Sequence, residues 1–131
     1  MSDDYPGVIP HLTIADRRAD EAIGFYQTAF GAELVQRMPT EDGRVMHAHL
    51  KINGGSVMLN DDFPEYHGAT GAPAAMTLHL QVADTDAAFD RATTAGATVT
   101  MPLDNQFWGD RYGQVADPFG FTWSIGGPVR E

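Results

Sequence analysis

The apolar and polar positions of this chain alternate between two spacings, one typical of strands and one typical of helices. Residues 8–14 alternate with a period of two, which predicts a strand. The next stretch carries an apolar stripe at helical spacing and stops at Gly31, a residue suited to the left-handed end of a helix. The pattern therefore predicts a helix over residues 19–30, with Asp16 or Asp20 as its N-cap.

Three more strands are predicted in the first half, at residues 33–38, 44–52 and 56–59. The breaks between them are Glu41-Asp42-Gly43 and Asn53-Gly54-Gly55, both of which are good turn sequences. The first half of the chain therefore has the order β-α-β-β-β.

The second half shows the same order of elements. The pattern predicts a helix over residues 85–95, capped by Asp84 or Asp86. The predicted strands are residues 76–82, 97–100, 113–116 and 121–125. The last two are joined by Asp117-Pro118-Phe119-Gly120, whose residue types fit a type I turn.

Three landmarks of the first half return in the second. They are His11-Leu12 with His79-Leu80, Gly31-Ala32 with Gly96-Ala97, and Gly55 with Gly120. The last two pairs are 65 residues apart, whereas the His-Leu pairs are 68 apart, so the first copy has the longer strand-to-helix turn. Repetition at a nearly fixed offset indicates a duplicated module.

The repeat predicts the architecture. We expect an α+β fold in which residues 1–131 form a single domain of two tandem β-α-β-β-β modules. Module one covers about residues 6–60, a linker covers 61–75, and module two covers 76–127. Together the modules should form a curved mixed sheet that encloses a cup.

Composition limits the possible partners. Eight basic residues against eighteen acidic ones give a net charge of −10, which argues against binding the phosphates of nucleic acids. The chain has no cysteine, and therefore no disulfide or thiolate metal site. No apolar run approaches the roughly 18 residues of a membrane span, and the first residues lack the features of a secretory signal. We expect a cytoplasmic protein without nucleic-acid or membrane partners.

Three groups of residues carry a family resemblance that covers nearly the whole chain. They are His11 with Phe25-Tyr26 and Phe30-Gly31-Ala32, His47-Ala48-His49-Leu50 with Val57-Met58-Leu59, and residues 107–113 with Asp117-Pro118-Phe119-Gly120. In these motifs the chain resembles the vicinal-oxygen-chelate superfamily, which includes glyoxalase I, bleomycin-resistance proteins, fosfomycin-resistance enzymes and extradiol dioxygenases. The closing motif is similar to that of the PhnB-like branch. The resemblance implies paired β-α-β-β-β modules (the glyoxalase-like fold) and a homodimer, on a scaffold that hosts many functions.

The resemblance also implies where a metal would bind. Enzymes of the superfamily hold a divalent ion with His and Glu ligands from the first and last strands of each module. His11 matches the first of these positions, and Thr77 or His79 matches its counterpart in module two. The carboxylate positions fall on Ser124 and, by the 65-residue offset, on Leu59, neither of which is a useful ligand.

Imidazoles offer a different metal site. His47 and His49 project from one face of a predicted strand, so either is able to join His11 as a nitrogen ligand. An all-imidazole site suits zinc, nickel or copper. The alternative is that His47 and His49 are half-buried strand residues that bind the backbone or neighbouring side chains. We expect no cofactor, with a divalent metal as the alternative.

A Gly-flanked segment before a strand supplies the candidate ligand contacts. They are Phe107, Trp108, Asp110 and Tyr112. The rings offer stacking area, and the Asp110 carboxylate is able to orient a ligand amine. The alternative is an internal contact between Asp110 and Arg111. Trp123 is a further candidate; it alternates with Phe121, so both should face the same side, core or pocket.

These observations predict a small-molecule-binding protein of the glyoxalase/bleomycin-resistance type, without a catalytic metal and assembled as a homodimer. The alternative is a divalent-metal-dependent isomerase, lyase, transferase or dioxygenase that acts on a vicinal-oxygen substrate. Elemental analysis of the protein without a His tag distinguishes the two classes.

Overall fold

The computed structural model describes residues 7–68 and 71–131. Among these, residues 7–27 and 32–68 form one compact unit, and residues 28–31 and 71–131 form another. Residue 6 of the first predicted module and residues 69 and 70 of the predicted linker lie outside the described residues. None of the described helices has the length and apolarity needed to span a bilayer.

The first unit follows the predicted order and adds one short helix. Its elements are β1 (His11–Ile14), α1 (Ala19–Phe30, whose last turn counts with the second unit), β2 (Glu33–Pro39), β3 (Val45–Ile52), β4 (Gly55–Asp61) and α2 (Pro64–His67). The strands form one mixed sheet in the order β1-β4-β3-β2, in which β1 and β4 are parallel and the other pairs antiparallel. The linker prediction did not include α2.

The start of α1 is held by a carboxylate from a distant strand. Asp61, at the end of β4 and 2% exposed, accepts hydrogen bonds from the backbone N–H groups of Ala19 at 2.9 Å and Val45 at 2.7 Å. The sequence predicts Asp16 or Asp20 for this role. Asp20 instead lies inside the helix, and Asp16 has a left-handed backbone with φ 62°. Asp61 thus connects α1 to two strands of the sheet.

The second unit repeats the order. Its elements are β5 (Thr77–Gln81), α3 (Thr85–Ala95), β6 (Thr98–Asn105), β7 (Asp110–Ala116) and β8 (Thr122–Pro128). The sheet order is β5-β8-β7-β6, again with the first pair parallel. Asp84 caps α3 as predicted, accepting a hydrogen bond from Ala87 N at 3.1 Å. The predicted α+β class, with two β-α-β-β-β modules built on mixed sheets, is confirmed.

The turn between β7 and β8 is organised by the buried Asp117. Its Oδ1 accepts hydrogen bonds from the backbone N–H groups of Phe119 and Phe121, at 2.9 and 3.0 Å. Its Oδ2 accepts one from Trp123 Nε1 at 2.9 Å. Gly120 N donates to Asp117 O, as the predicted turn requires. One side chain therefore fixes both the turn and the orientation of the Trp123 ring.

Asp86, in the first turn of α3, is bound by two arginines. Its carboxylate accepts hydrogen bonds from Arg111 at 2.8 and 3.0 Å and from Arg130 at 2.8 Å. These hydrogen bonds lower the pKa of Asp86 from 3.8 to about 2, and those from Arg111 have the largest effect. The charged form of Asp86 is therefore favoured in the folded protein.

We expect Asp86→Asn to lower the free energy of unfolding at pH 7 and to flatten its dependence on pH between about 4 and 2. Because the folded-state pKa is depressed, Asp86 stabilises the fold above its unfolded pKa, and this stabilisation disappears as the pH falls through about 2. Urea unfolding at a series of pH values measures the effect. Asp90→Asn, an exposed change on the same helix, is the control. Equal slopes in the two variants would contradict the prediction.

Candidate functional site

The two faces of the second sheet differ in chemistry. Leu78, Val115, Trp123 and Ile125 are among the buried side chains of one face. Strand side chains alternate, so the residues between them project from the opposite face. This polar face consists of His79, Gln81, Tyr112, Gln114 and Ser124. The strand register places His79 beside Ser124, and Ser124 beside Gln114.

His79 is held by hydrogen bonds at both ring nitrogens. Its Nδ1 lies 2.7 Å from Ser124 Oγ, and its Nε2 lies 2.8 Å from Gln81 Oε1. The amide oxygen of Gln81 only accepts hydrogen bonds, so this pairing places the proton on Nε2. Nδ1 then accepts a hydrogen bond from the Ser124 hydroxyl. The two neighbours thus fix both the orientation and the tautomer of His79.

Aromatic rings continue from His79 across the polar face. The His79 and Tyr112 rings are stacked, with centroids 5.9 Å apart and an interplanar angle of 12°. Trp108 meets Tyr112 edge to face at 5.5 Å, and Phe107 meets Trp108 in the same way at 5.2 Å. Gly126 leaves room for the stack, because a Cβ there would lie 2.8 Å from His79 Cε1.

The candidate ligand residues fall into two groups. Phe107 is 96% exposed and Trp108 is 47% exposed, whereas Trp123 is 3% exposed. Trp123 packs at 4.5 Å from Phe30 within the second unit, on the core side of the sheet with Phe121. The sequence allowed Trp123 to face either the core or a pocket, and in the structure it faces the core.

The segment from Phe107 to Tyr112 is a hairpin turn followed by a strand. Residues 106–109 form the turn, and β7 begins at Asp110, three residues before the predicted strand. Asp110 is exposed and shares a face with Tyr112. The Arg111 guanidinium binds Asp86 and Asn105. The predicted alternative, in which Arg111 contacts Asp110, is therefore not the arrangement observed.

Three histidines of the first unit, His11, His47 and His49, lie on its sheet. His11 is exposed on β1. His49 is fully buried on β3, with Nε2 2.9 Å from Ser56 Oγ. His47 is half-buried two residues before it. The described part of either unit contains no group of three His, Asp or Glu side chains arranged to hold a metal ion.

The strand registers revise one correspondence between the modules. His11 lies opposite Met58, as His79 lies opposite Ser124. Met58 therefore lies beside His11 as Ser124 lies beside His79, and Thr77 lies beside Thr122. Leu59, which the 65-residue offset selects, is fully buried and faces the core.

With this correspondence too, the residues at these positions are poor ligands for a divalent ion. Ser124 provides a hydroxyl and Met58 a thioether, whereas the family resemblance implies carboxylate ligands on these strands, and divalent ions generally need about three imidazole or carboxylate ligands. A metal on His79 would also displace Ser124 or Gln81 from a ring nitrogen. The donor atoms at these positions therefore do not fit a resident divalent ion.

Sequence reasoning missed three polar members of this site. Gln81, Gln114 and Ser124 were not among the predicted ligand contacts, although each is next to an apolar residue of a predicted strand. Alternation alone indicates the face on which they lie. Their contacts with His79 and Tyr112 depend on the strand register, which the sequence pattern does not contain.

The chain matches known proteins over most of its length. A family model described as the Glyoxalase/Bleomycin resistance protein/Dioxygenase superfamily matches residues 8–125. The uncharacterized protein Rv0887c of Mycobacterium tuberculosis is 52% identical, over 96% of this chain and 76% of its own. Protein YjdN of Escherichia coli is 26% identical, over 88% of this chain and 91% of its own.

Solved structures show the same fold. TioX from Micromonospora sp. ML1 has a TM-score of 0.72 at 29% identity, covering 94% of this chain and all of that one. A Bacillus cereus PhnB protein, described as a putative 3-demethylubiquinone-9 3-methyltransferase, has a TM-score of 0.70. It covers 92% of this chain and 98% of that one at 24% identity, a likeness of fold alone.

Proposed function

Because the chain belongs to the glyoxalase/bleomycin resistance protein/dioxygenase superfamily, we propose that it binds a small molecule without using a catalytic metal. The ligand is a planar aromatic or heteroaromatic compound that lies on the polar face of the second sheet. The observation that carries this proposal is the continuous row of rings formed by Trp108, Tyr112 and His79.

The exposed rings supply the apolar contact area. Phe107 and Trp108 are large side chains at the turn between β6 and β7, and loops carried on a sheet commonly hold binding residues. Their edge-to-face packing leaves ring surface exposed to a ligand. Ligand sites are mostly apolar, with a few polar groups that orient the ligand. Phe107 and Trp108 supply the apolar area, and the residues of the polar face supply the orienting groups.

The polar groups orient a ligand on the polar face. Gln114 Nε2 donates a hydrogen bond to the Tyr112 hydroxyl oxygen at 3.1 Å. The hydroxyl hydrogen of Tyr112 is then able to point toward a ligand acceptor. At the hairpin end of β7, the Asp110 carboxylate is exposed on the same face and is able to accept a hydrogen bond from a ligand N–H. The ligand therefore has an acceptor toward Tyr112 and a donor toward Asp110.

The metal-free part of the proposal rests on the donor atoms. The two ring nitrogens of His79 already have protein partners, and Ser124 and Met58 are poor ligands for a divalent ion. Elemental analysis of the untagged protein tests this part by itself. One equivalent of a metal that a chelator removes, with loss of stability, would favour the metal-dependent enzyme instead. The homodimer and the cytoplasmic location remain predictions.

We expect Trp108→Ala to weaken binding of an aromatic ligand about two- to ten-fold, because an aromatic pair contributes roughly 0.5–1.5 kcal/mol beyond its buried area. The ligand comes from a screen of heteroaromatic compounds, and calorimetry gives its affinity for each variant. The control is Met38→Ala, which removes an exposed apolar side chain from β2 of the first unit. Equal affinities in Trp108→Ala and the unmodified protein, for a ligand whose NMR contacts lie on the polar face, would refute the role of Trp108.

A further inference from the structure

The first unit contains a cavity of about 580 Å³ that the proposed function does not use. It lies where the β2–β3 turn, the start of β3, the end of β4 and the segment around α2 meet. Its lining includes Glu41, Arg44, Met46, Asn60, Phe63 and Tyr66. We call it the Arg44 cavity. Its volume is within the range of about 300–1,000 Å³ typical of small-molecule sites.

One wall of the cavity already holds a cation. The Arg44 guanidinium lies 4.4 Å from the centre of the Phe63 ring. It also binds Glu65 at 2.6 and 3.0 Å, and its side chain is only 15% exposed. The hydrogen bonds that Arg44 donates to Glu65, and then to Asp42, raise the pKa of Arg44. The combination of an aromatic ring and carboxylates therefore stabilises positive charge at this place.

Acidic groups outnumber basic ones around the cavity. Arg44 is bound by both Asp42 and Glu65. Arg17 reaches Asp42 from outside at 3.6 Å. Glu41 then leaves one carboxylate in excess over these two guanidinium groups. A ligand with one positive charge would neutralise this excess negative charge.

The remaining lining residues suit a ligand with an apolar body and an N–H group. Met46 and Tyr66 are both large and more than half exposed, so each offers apolar surface. Asn60 Oδ1 is buried and has no hydrogen-bond partner among the described residues. An unpaired buried acceptor is unfavourable, so a hydrogen-bond donor at this oxygen would be stabilising. A rotation of the Asn60 amide would turn this oxygen toward a donor in the cavity.

We propose that the Arg44 cavity is a second ligand site, which binds an organic cation made of an apolar or aromatic body and an ammonium group. The body lies against Met46 and Tyr66. The ammonium group faces the Glu41 carboxylate and donates to the amide oxygen of Asn60. This site is built from residues of the first unit alone, and the proposal does not depend on the function proposed for the polar face.

Three naphthalene compounds of similar shape test the charge preference. They are naphthalen-1-ylmethylammonium, naphthalen-1-ylmethanol and naphthalene-1-carboxylate. Each is titrated into the full chain carrying ¹³C-methyl methionine, and NMR follows the Met46 methyl group. Met101, in the second unit, reports binding elsewhere. We expect the ammonium to shift Met46 saturably, the alcohol to bind several-fold more weakly, and the carboxylate to leave Met46 unchanged.

Glu41→Gln separates the charge effect from the apolar contact. It should weaken binding of the ammonium about three-fold or more, the size expected for one exposed ion pair, and leave binding of the alcohol unchanged. Glu33→Gln removes an exposed carboxylate elsewhere in the same unit and is the matched control. Three results would overturn the proposal. They are equal binding of the alcohol and the ammonium, equal affinities of Glu41→Gln and Glu33→Gln for the ammonium, and an unshifted Met46 at the solubility limit.

Discussion

Asp117→Ala is expected to lower the free energy of unfolding by about 3 kcal/mol or more, because it leaves three hydrogen-bond donors without their acceptor. Two are the backbone N–H groups of Phe119 and Phe121, and the third is the Trp123 indole N–H. Phe121 and Trp123 are buried, so water does not easily replace the carboxylate. The turn between β7 and β8 and the position of the Trp123 ring should both become less well defined.

Urea unfolding measures this loss, and Asp117→Asn gives a graded comparison. Asparagine is able to keep an acceptor for the two backbone donors, but it presents an NH₂ group to the indole N–H, so an intermediate loss is expected. Asp90→Ala removes an exposed carboxylate from α3 and should have a much smaller effect. A loss for Asp117→Ala no larger than that for Asp90→Ala would show that the carboxylate does not organise the turn.

Local signals were sufficient for the two long helices. The predicted bounds 19–30 and 85–95 are those of α1 and α3. Both helices are marked by signals that are local in the sequence, an apolar stripe along the helix and a glycine directly after its end. The structure differs from the prediction where a contact comes from a residue far away in the sequence. Asp61 holds the first turn of α1 from 42 residues away, and no sequence spacing indicates that contact. The short helix α2 was missed because its composition resembles that of a loop.

The candidate site was predictable to the same extent. The aromatic residues Trp108 and Tyr112 are evident from the sequence, and the structure places them side by side. The hydrogen bond between His79 and Ser124 joins two strands whose register the sequence pattern does not define. A shift of one residue moves a strand side chain to the other face, and the 65-residue offset selected Leu59 instead of Met58 for this reason.

Two neighbouring glycines in β8 provide a test that separates fold from function. Their missing side chains point to opposite faces of the strand. A Cβ on Gly127 would lie 2.2 Å from the backbone oxygen of Val82 and 2.9 Å from Thr85 Cγ2. A Cβ on Gly126 would instead meet the rings of His79 and Tyr112, at 2.8 and 3.3 Å. Side-chain rings are able to move, whereas the Val82 backbone is fixed by its position at the end of β5.

We therefore expect Gly127→Ala to lower the free energy of unfolding by about 3 kcal/mol or more, through overpacking against backbone. Gly126→Ala should lower the free energy of unfolding much less, because the His79 and Tyr112 rings are able to separate. It should weaken binding of the aromatic ligand at least as much as Trp108→Ala does. Both changes reduce the freedom of the unfolded chain equally, so the comparison cancels that effect. Urea unfolding and calorimetry on the two variants measure both quantities. Equal stabilities would show that the strand relieves the Gly127 contact by shifting, and unchanged affinity in Gly126→Ala would show that the ligand does not need the His79–Tyr112 stack.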